Sequence, residues 1–186
     1  MFVGFLFVGV FLTGCIVMNF TESLSNGYPQ QIRFSTERTD LYYERSPHYA
    51  LHYSQPNSAP PEALMTMAEG TIAIFPQEIS PPRHSPDARM TAVYVLKPGN
   101  VPAVPTGLVF VRFQKGTVAT DHRIPLEEAG YTIESSPPYA PHTAWVRSIS
   151  GSIGEALAGI SRLEAIPEVE NVEPQMMMER RWRSGE

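Results

Sequence analysis

Hydrophobic and polar positions alternate most cleanly in "GLVFVRFQKG", where Val109, Val111 and Phe113 fall on one face and Leu108, Phe110 and Arg112 on the other. A period of two predicts a strand from Gly107, turned at Lys115-Gly116. "DHRIPLEEAG" (121–130) reads as a short helix that Pro125 opens in its first turn and Gly130 closes. "YTIE" and "TAWVRSI" (143–149) are a second and a third strand, separated by a loop that Pro137, Pro138 and Pro141 force. Ser152 and Glu155 then have the spacing of a capping box, and Ile153, Leu157, Ile160 and Leu163 form an apolar helical stripe that Ala156 widens. Gly159 weakens this helix by roughly 1 kcal/mol relative to alanine, which marks a close approach to the sheet. Pro167 forbids continuation, and "EVENVEP" follows as a fourth strand.

From 107 to 174 the order is β, α, β, β, α, β. Two helices that each follow a strand and cover one face of a four-stranded antiparallel sheet predict an α+β class, a ferredoxin-like βαββαβ sandwich in the C-terminal half. The other sheet face would carry Leu108 and Phe110. Left open, it is an interaction surface; otherwise the proline-rich residues upstream cover it.

Those upstream residues are patterned less clearly. Leu41-Tyr42-Tyr43 and Tyr49-Ala50-Leu51-His52-Tyr53, split by Ser46-Pro47, predict a hairpin over 33–54. Residues 55 to 105 hold ten of the eighteen prolines, with apolar runs at 71–75 and 91–96 between them. Proline at that density disfavours long helices and central strands, so a small, loop-rich, Pro-rich β segment is expected over 33–104. "EALMTMAEG" (62–70) fits two helical turns stopped by Gly70.

The first eighteen residues contain no charged side chain, and they read as a targeting segment rather than as part of the fold. Leu12-Thr13-Gly14-Cys15 resembles the bacterial lipoprotein cleavage box, in which the cysteine becomes lipidated. Cys15 is the only cysteine, so the chain has no internal disulfide and is stabilised by packing. The expected localisation is exported, in the cell envelope, lipid-anchored to a bacterial membrane through Cys15 or held there by an uncleaved N-terminal anchor. Residues 19–32 are polar and read as a tether. With 42% apolar and 18% charged residues the chain as a whole has an ordinary globular composition, and its net charge of −5 argues against a nucleic-acid partner.

"LVFVRFQKGT", "LEEAGYTIESSPPYAPHTAWVR" and "EALAGISRLEAIPEVENVEPQ" together resemble the pro-region of subtilisin-like serine proteases, over about residues 91 to 183. The closing motif, Pro167 to Gln175, is the most specific part. Glu168 stands where the family pattern has glycine, and Gln175 where it has asparagine. The resemblance implies a propeptide-like domain over 105–175 that binds a subtilisin-like protease, inhibits it and assists its folding. It implies that the open face with Leu108 and Phe110 packs on protease helices and that Glu170 and Glu173 cap their N-termini. It also implies that a tail, 176–186, continues from Gln175, Met176, Met177 and Met178 into the active-site cleft as an extended strand. Glu170 and Glu173 equally suit a solvated edge strand.

No His-Gly pair or Gly-Thr-Ser-Met run of the family's catalytic domain is present, and the five histidines have no nucleophile or metal-ligand spacing beside them. The expectation is a protein without catalytic activity, cofactor or metal. Three readings stand: a stand-alone propeptide-like protein, an orphan N-terminal fragment of a secreted protease precursor, and a cell-surface interaction or structural lipoprotein.

Overall fold

The computed structural model describes residues 27–33, 41–79 and 89–179. In chain order these form β1 (Gln31–Arg33), β2 (Tyr42–His52), β3 (Met65–Met67), β4 (Ile72–Pro76), β5 (Arg89–Lys97) and β6 (Val101–Phe113). A 3₁₀ turn (Ala119–His122) leads into α1 (Arg123–Glu128), followed by β7 (Tyr131–Ser135), β8 (Thr143–Ser148), α2 (Ile153–Ala158), α3 (Ile160–Glu164) and β9 (Val169–Met178). All nine strands belong to one sheet, in the order β3-β4-β2-β5-β6-β8-β7, with β1 added to β2 and β9 to β6. Every pairing is antiparallel.

This overturns the expected fold class. The protein is mainly a single large antiparallel sheet with a few short helices, not a ferredoxin-like βαββαβ sandwich behind a separate β segment. The reason lies in β6, which begins at Val101 rather than Gly107. Val101–Ala103 pair with Leu96–Tyr94 of β5, so the upstream strands and the C-terminal ones share a central strand. Pro102 and Pro105 hid this extension. Pro105 stands where the register of β6 against β9 shifts, an irregularity that tolerates a residue with no N–H to give.

Two other expectations fail for related reasons. Ser46-Pro47 does not turn a hairpin: β2 runs straight through it, with its register against β5 shifting between Arg45 and Tyr49. Proline at such a bulge costs no ladder bond. "EALMTMAEG" is not helical either; Met65–Met67 are β3, and Ala68, Glu69 and Gly70 all take positive φ in the turn to β4.

The main core covers one sheet face. Val109, Val111 and Phe113 of β6, Val146 of β8 and Val172 of β9 pack with Leu126, Ile153, Leu157 and Leu163, and the same cluster continues onto Ile32, Tyr43, Tyr94 and Ala103. The proposed boundaries at 104/105 and 175/176 therefore fall inside β6 and β9, and the core crosses the first of them. The far end of the expected tether, residues 27–32, is also built in. The Tyr94 hydroxyl donates to the Pro29 carbonyl at 2.9 Å and the Arg45 guanidinium to the Tyr28 carbonyl at 2.9 Å.

Two glycines set the helix packing. A Cβ on Gly154 would overlap the Gly27 carbonyl, and one on Gly159 would overlap the Tyr131 hydroxyl. That hydroxyl donates to the Ala156 carbonyl at 2.5 Å, so Gly159 is the close approach that the sequence suggested, and the helix breaks there into α2 and α3. The capping box is half as expected. Ser152 accepts from the Glu155 N–H at 3.3 Å, but the Glu155 carboxylate takes the Ser150 hydroxyl, which in turn accepts from the Ser152 N–H at 3.2 Å. One more serine relays the reciprocal bond.

Among the described residues no helix is long and apolar enough to cross a membrane. The targeting segment 1–18 with Cys15, the tether's first residues 19–26 and the tail residues 180–186 lie outside the described residues.

Candidate interaction surface

Strand alternation sends Val109 and Val111 into the core, and the intervening Leu108 and Phe110 to the opposite face, where both are half-buried. The register of β6 against β8 sets Phe110 opposite Trp145, and Leu108 opposite Arg147. The Phe110 and Trp145 rings meet at 5.2 Å between centroids, tilted by 57°, a favourable aromatic geometry. An apolar centre of Leu108, Phe110 and Trp145 thus lies on the face away from α2 and α3.

Charged pairs surround it. Arg112 meets Glu170 at 3.6 Å and Arg147 meets Glu134 at 3.2 Å, all four partly open to solvent. Such exposed pairs contribute only about 0–1 kcal/mol, so a partner's charges can replace them at little cost. Glu173, opposite Phe110 in β9, accepts from the Asn171 side-chain amide at 2.8 Å. Both candidate capping acids are exposed, Glu170 in an ion pair and Glu173 in a hydrogen bond. Burial, and secondarily the Glu173 charge, holds the Tyr43 hydroxyl above the ordinary tyrosine range. Asn171 is buried, and its Oδ1 has no hydrogen-bond partner among the described residues.

The tail candidates are placed differently from expectation. Gln175, Met176, Met177 and Met178 do not extend freely beyond the fold, because all four belong to β9. Met176, Met177 and Met178 pair with Pro105, Val104 and Ala103, and the Thr106 hydroxyl donates to the Gln175 side-chain carbonyl at 2.8 Å. Met177 and Met178 also line a cleft of about 210 Å³ with the β3–β4 turn, from Thr66 to Gly70. The edge strands β3 and β9 thus approach each other around it.

Arg112 shares the face of Leu108 and Phe110 by alternation alone, whereas Trp145, Arg147 and Asn171 come from other strands. The alternation in "TAWVRSI" held the signal for two of them: with Ala144 and Val146 inward, Trp145 and Arg147 must share the outer face.

Glu168 has φ +68°, the left-handed backbone that favours glycine, at the position where the resembling pattern has glycine. It is held there by a 2.8 Å pair with His122 and by its carbonyl, which accepts from the Gln114 N–H at 2.8 Å. Glycine removes backbone strain of about 1–2 kcal/mol, whereas the half-exposed hydrogen bond to His122 that it loses contributes at most about 1 kcal/mol. Glu168→Gly is therefore expected to unfold at a slightly higher denaturant concentration than the parent. Glu168→Ala, which keeps the strain and loses the pair, should unfold at a lower one.

Among the described residues no group of three or more His, Cys, Asp or Glu is placed to hold a metal ion. Compared with known proteins, the chain matches no family model, no curated protein and no solved structure.

Proposed function

We propose that this chain is a stand-alone propeptide-like protein that binds a subtilisin-like serine protease and inhibits it or assists its folding, without catalytic activity of its own. The observation that carries the reading is the apolar centre of Leu108, Phe110 and Trp145 on a sheet face that the helices do not cover. An aromatic centre with a rim of exchangeable ion pairs has the make-up of a protein interface. The resemblance of the closing motif supports it, as does the glycine-type backbone at Glu168. Export and lipid anchoring at Cys15 belong to the same proposal. The reading does not depend on a ferredoxin-like domain, since the surface is built by β6, β8 and β9 of the larger sheet.

Because the core spans both halves, the test uses the full chain in detergent, titrated against subtilisin-like proteases with a fluorogenic peptide substrate. Inhibition at micromolar concentration is expected, together with a loss of about tenfold or more in the Phe110→Ala and Trp145→Ala variants, as for residues at the centre of an interface. Absence of both inhibition and binding would leave the orphan-fragment and surface-module readings.

A further inference from the structure

The resemblance sends the residues from Gln175 onward into a protease cleft, yet in the free chain they are already a strand of its own sheet. We propose that Gln175–Met178 form a latch, which must leave β6 before the tail can engage a protease. This rests on the protease-binding reading and adds to it a regulation of the same site.

The geometry makes β9 two separable halves. Its first half pairs from Phe113↔Val169 to Val109↔Pro174, and its second from Pro105↔Met176 to Ala103↔Met178. Between them Thr106, Gly107 and Leu108 of β6 stand against Gln175 alone, so the ladder is interrupted there. Pro174 and Pro105 flank the interruption, and neither has an N–H to contribute. Peeling the second half away therefore leaves the first half's ladder intact.

The side chains divide in the same way. Val172 of the first half is fully buried, whereas Met177 and Met178 are 37% and 41% exposed. Met176 is half-buried against the main core, and the Thr106–Gln175 bond spans the interruption. Few buried contacts hold the second half, which is the character of an element that opens locally. Release would uncover Ala103 and Val104, both fully buried in the closed form, so the latch recloses unless a partner takes the tail. The expected sequence is docking through the Phe110–Trp145 face, followed by release of the tail. Inhibition then develops in two phases.

A staple tests this. Val104 and Met177 are directly opposed, and opposed residues of an antiparallel pair lie within reach of a disulfide. Val104→Cys/Met177→Cys is made in a Cys15→Ser parent, which lacks any other thiol. The reduced variant should inhibit as the parent does, and oxidation should weaken inhibition by roughly tenfold or more by removing the open population. Equal inhibition in both redox states overturns the latch while leaving the protease reading in place; a parent that neither inhibits nor binds the protease overturns that reading itself. Hydrogen exchange on the free parent gives a second check that needs no protease. The Met177 and Met178 amides should exchange much faster than those of Val172 and Val111, and matching protection across β9 would overturn the latch.

Discussion

Val172→Asp is expected to unfold the protein at neutral pH. Val172 is fully buried in β9, directly opposite Val111 of β6, and belongs to the cluster that α2, α3 and the sheet share. A carboxylate at that point has no cation within the apolar cluster to pair with, and solvation lost on burial is not recovered. The substitution should cost more than about 4 kcal/mol, a large part of the 5–15 kcal/mol by which domains are usually stable. Glu170→Gln, two residues before Val172 in the same strand, removes only an exposed ion pair and should move the denaturation midpoint very little. Circular dichroism across a denaturant series separates the two. A Val172→Asp chain melting within about 1 kcal/mol of the parent would mean that β9 does not close the core.

The stretch around Val172 was legible because local rules and tertiary packing agree there. Alternation in "GLVFVRF" and "TAWVRS", the spacing of Ile153, Leu157, Ile160 and Leu163, and the stop at Pro167 each act through the nearest few residues, and the structure places those elements where the pattern does. The architecture that unites them was not legible. Whether β6 begins at Val101 or Gly107 depends on β5 lying beside it, and that pairing is invisible in a run where Pro102 and Pro105 argue against a strand. Proline density argues against central strands, but a strand continues through proline where its register shifts, as β2 does at Pro47.

The interaction surface divides along the same line. Leu108 and Phe110 could be assigned to a face from period two alone. Their partners Trp145 and Arg147 come from another strand, so the register had to be known before the aromatic contact could be seen. The methionines were misplaced for the converse reason. "PQMMM" has no alternation, and only pairing with Ala103–Pro105 of β6 makes a strand of it.

Above about pH 10 the protein should lose stability steeply, through tyrosines that the fold keeps neutral. Burial is the main cause in each case: it pushes Tyr28 and Tyr131 up to about 12, and Tyr94 well above the ordinary range, against smaller lowering effects of Arg89, Arg162 and Arg45 respectively. An unfolded chain releases these protons near pH 10, the folded one only near 12, so between those values the unfolded state binds fewer protons. The stabilisation is complete below pH 10 and is lost as pH rises toward 12. The same hydroxyls hold the fold together: Tyr94 ties residues 27–33 to β5, and Tyr131 ties β7 to α2. Ionisation removes the donor in each bond and puts a charge in the main core. The share of tyrosinate absorbance that comes from Tyr28, Tyr94 and Tyr131 should therefore rise in one cooperative step together with loss of the far-ultraviolet dichroism, rather than gradually as for free phenols. Tyr131→Phe should raise the pH at which the alkaline transition occurs while lowering stability at pH 7, because it loses both the ionisable proton and the bond to Ala156. A titration in which the tyrosines ionise near pH 10 with the secondary structure unchanged would show that these hydroxyls are open to solvent and that the N-terminal segment is not held by them.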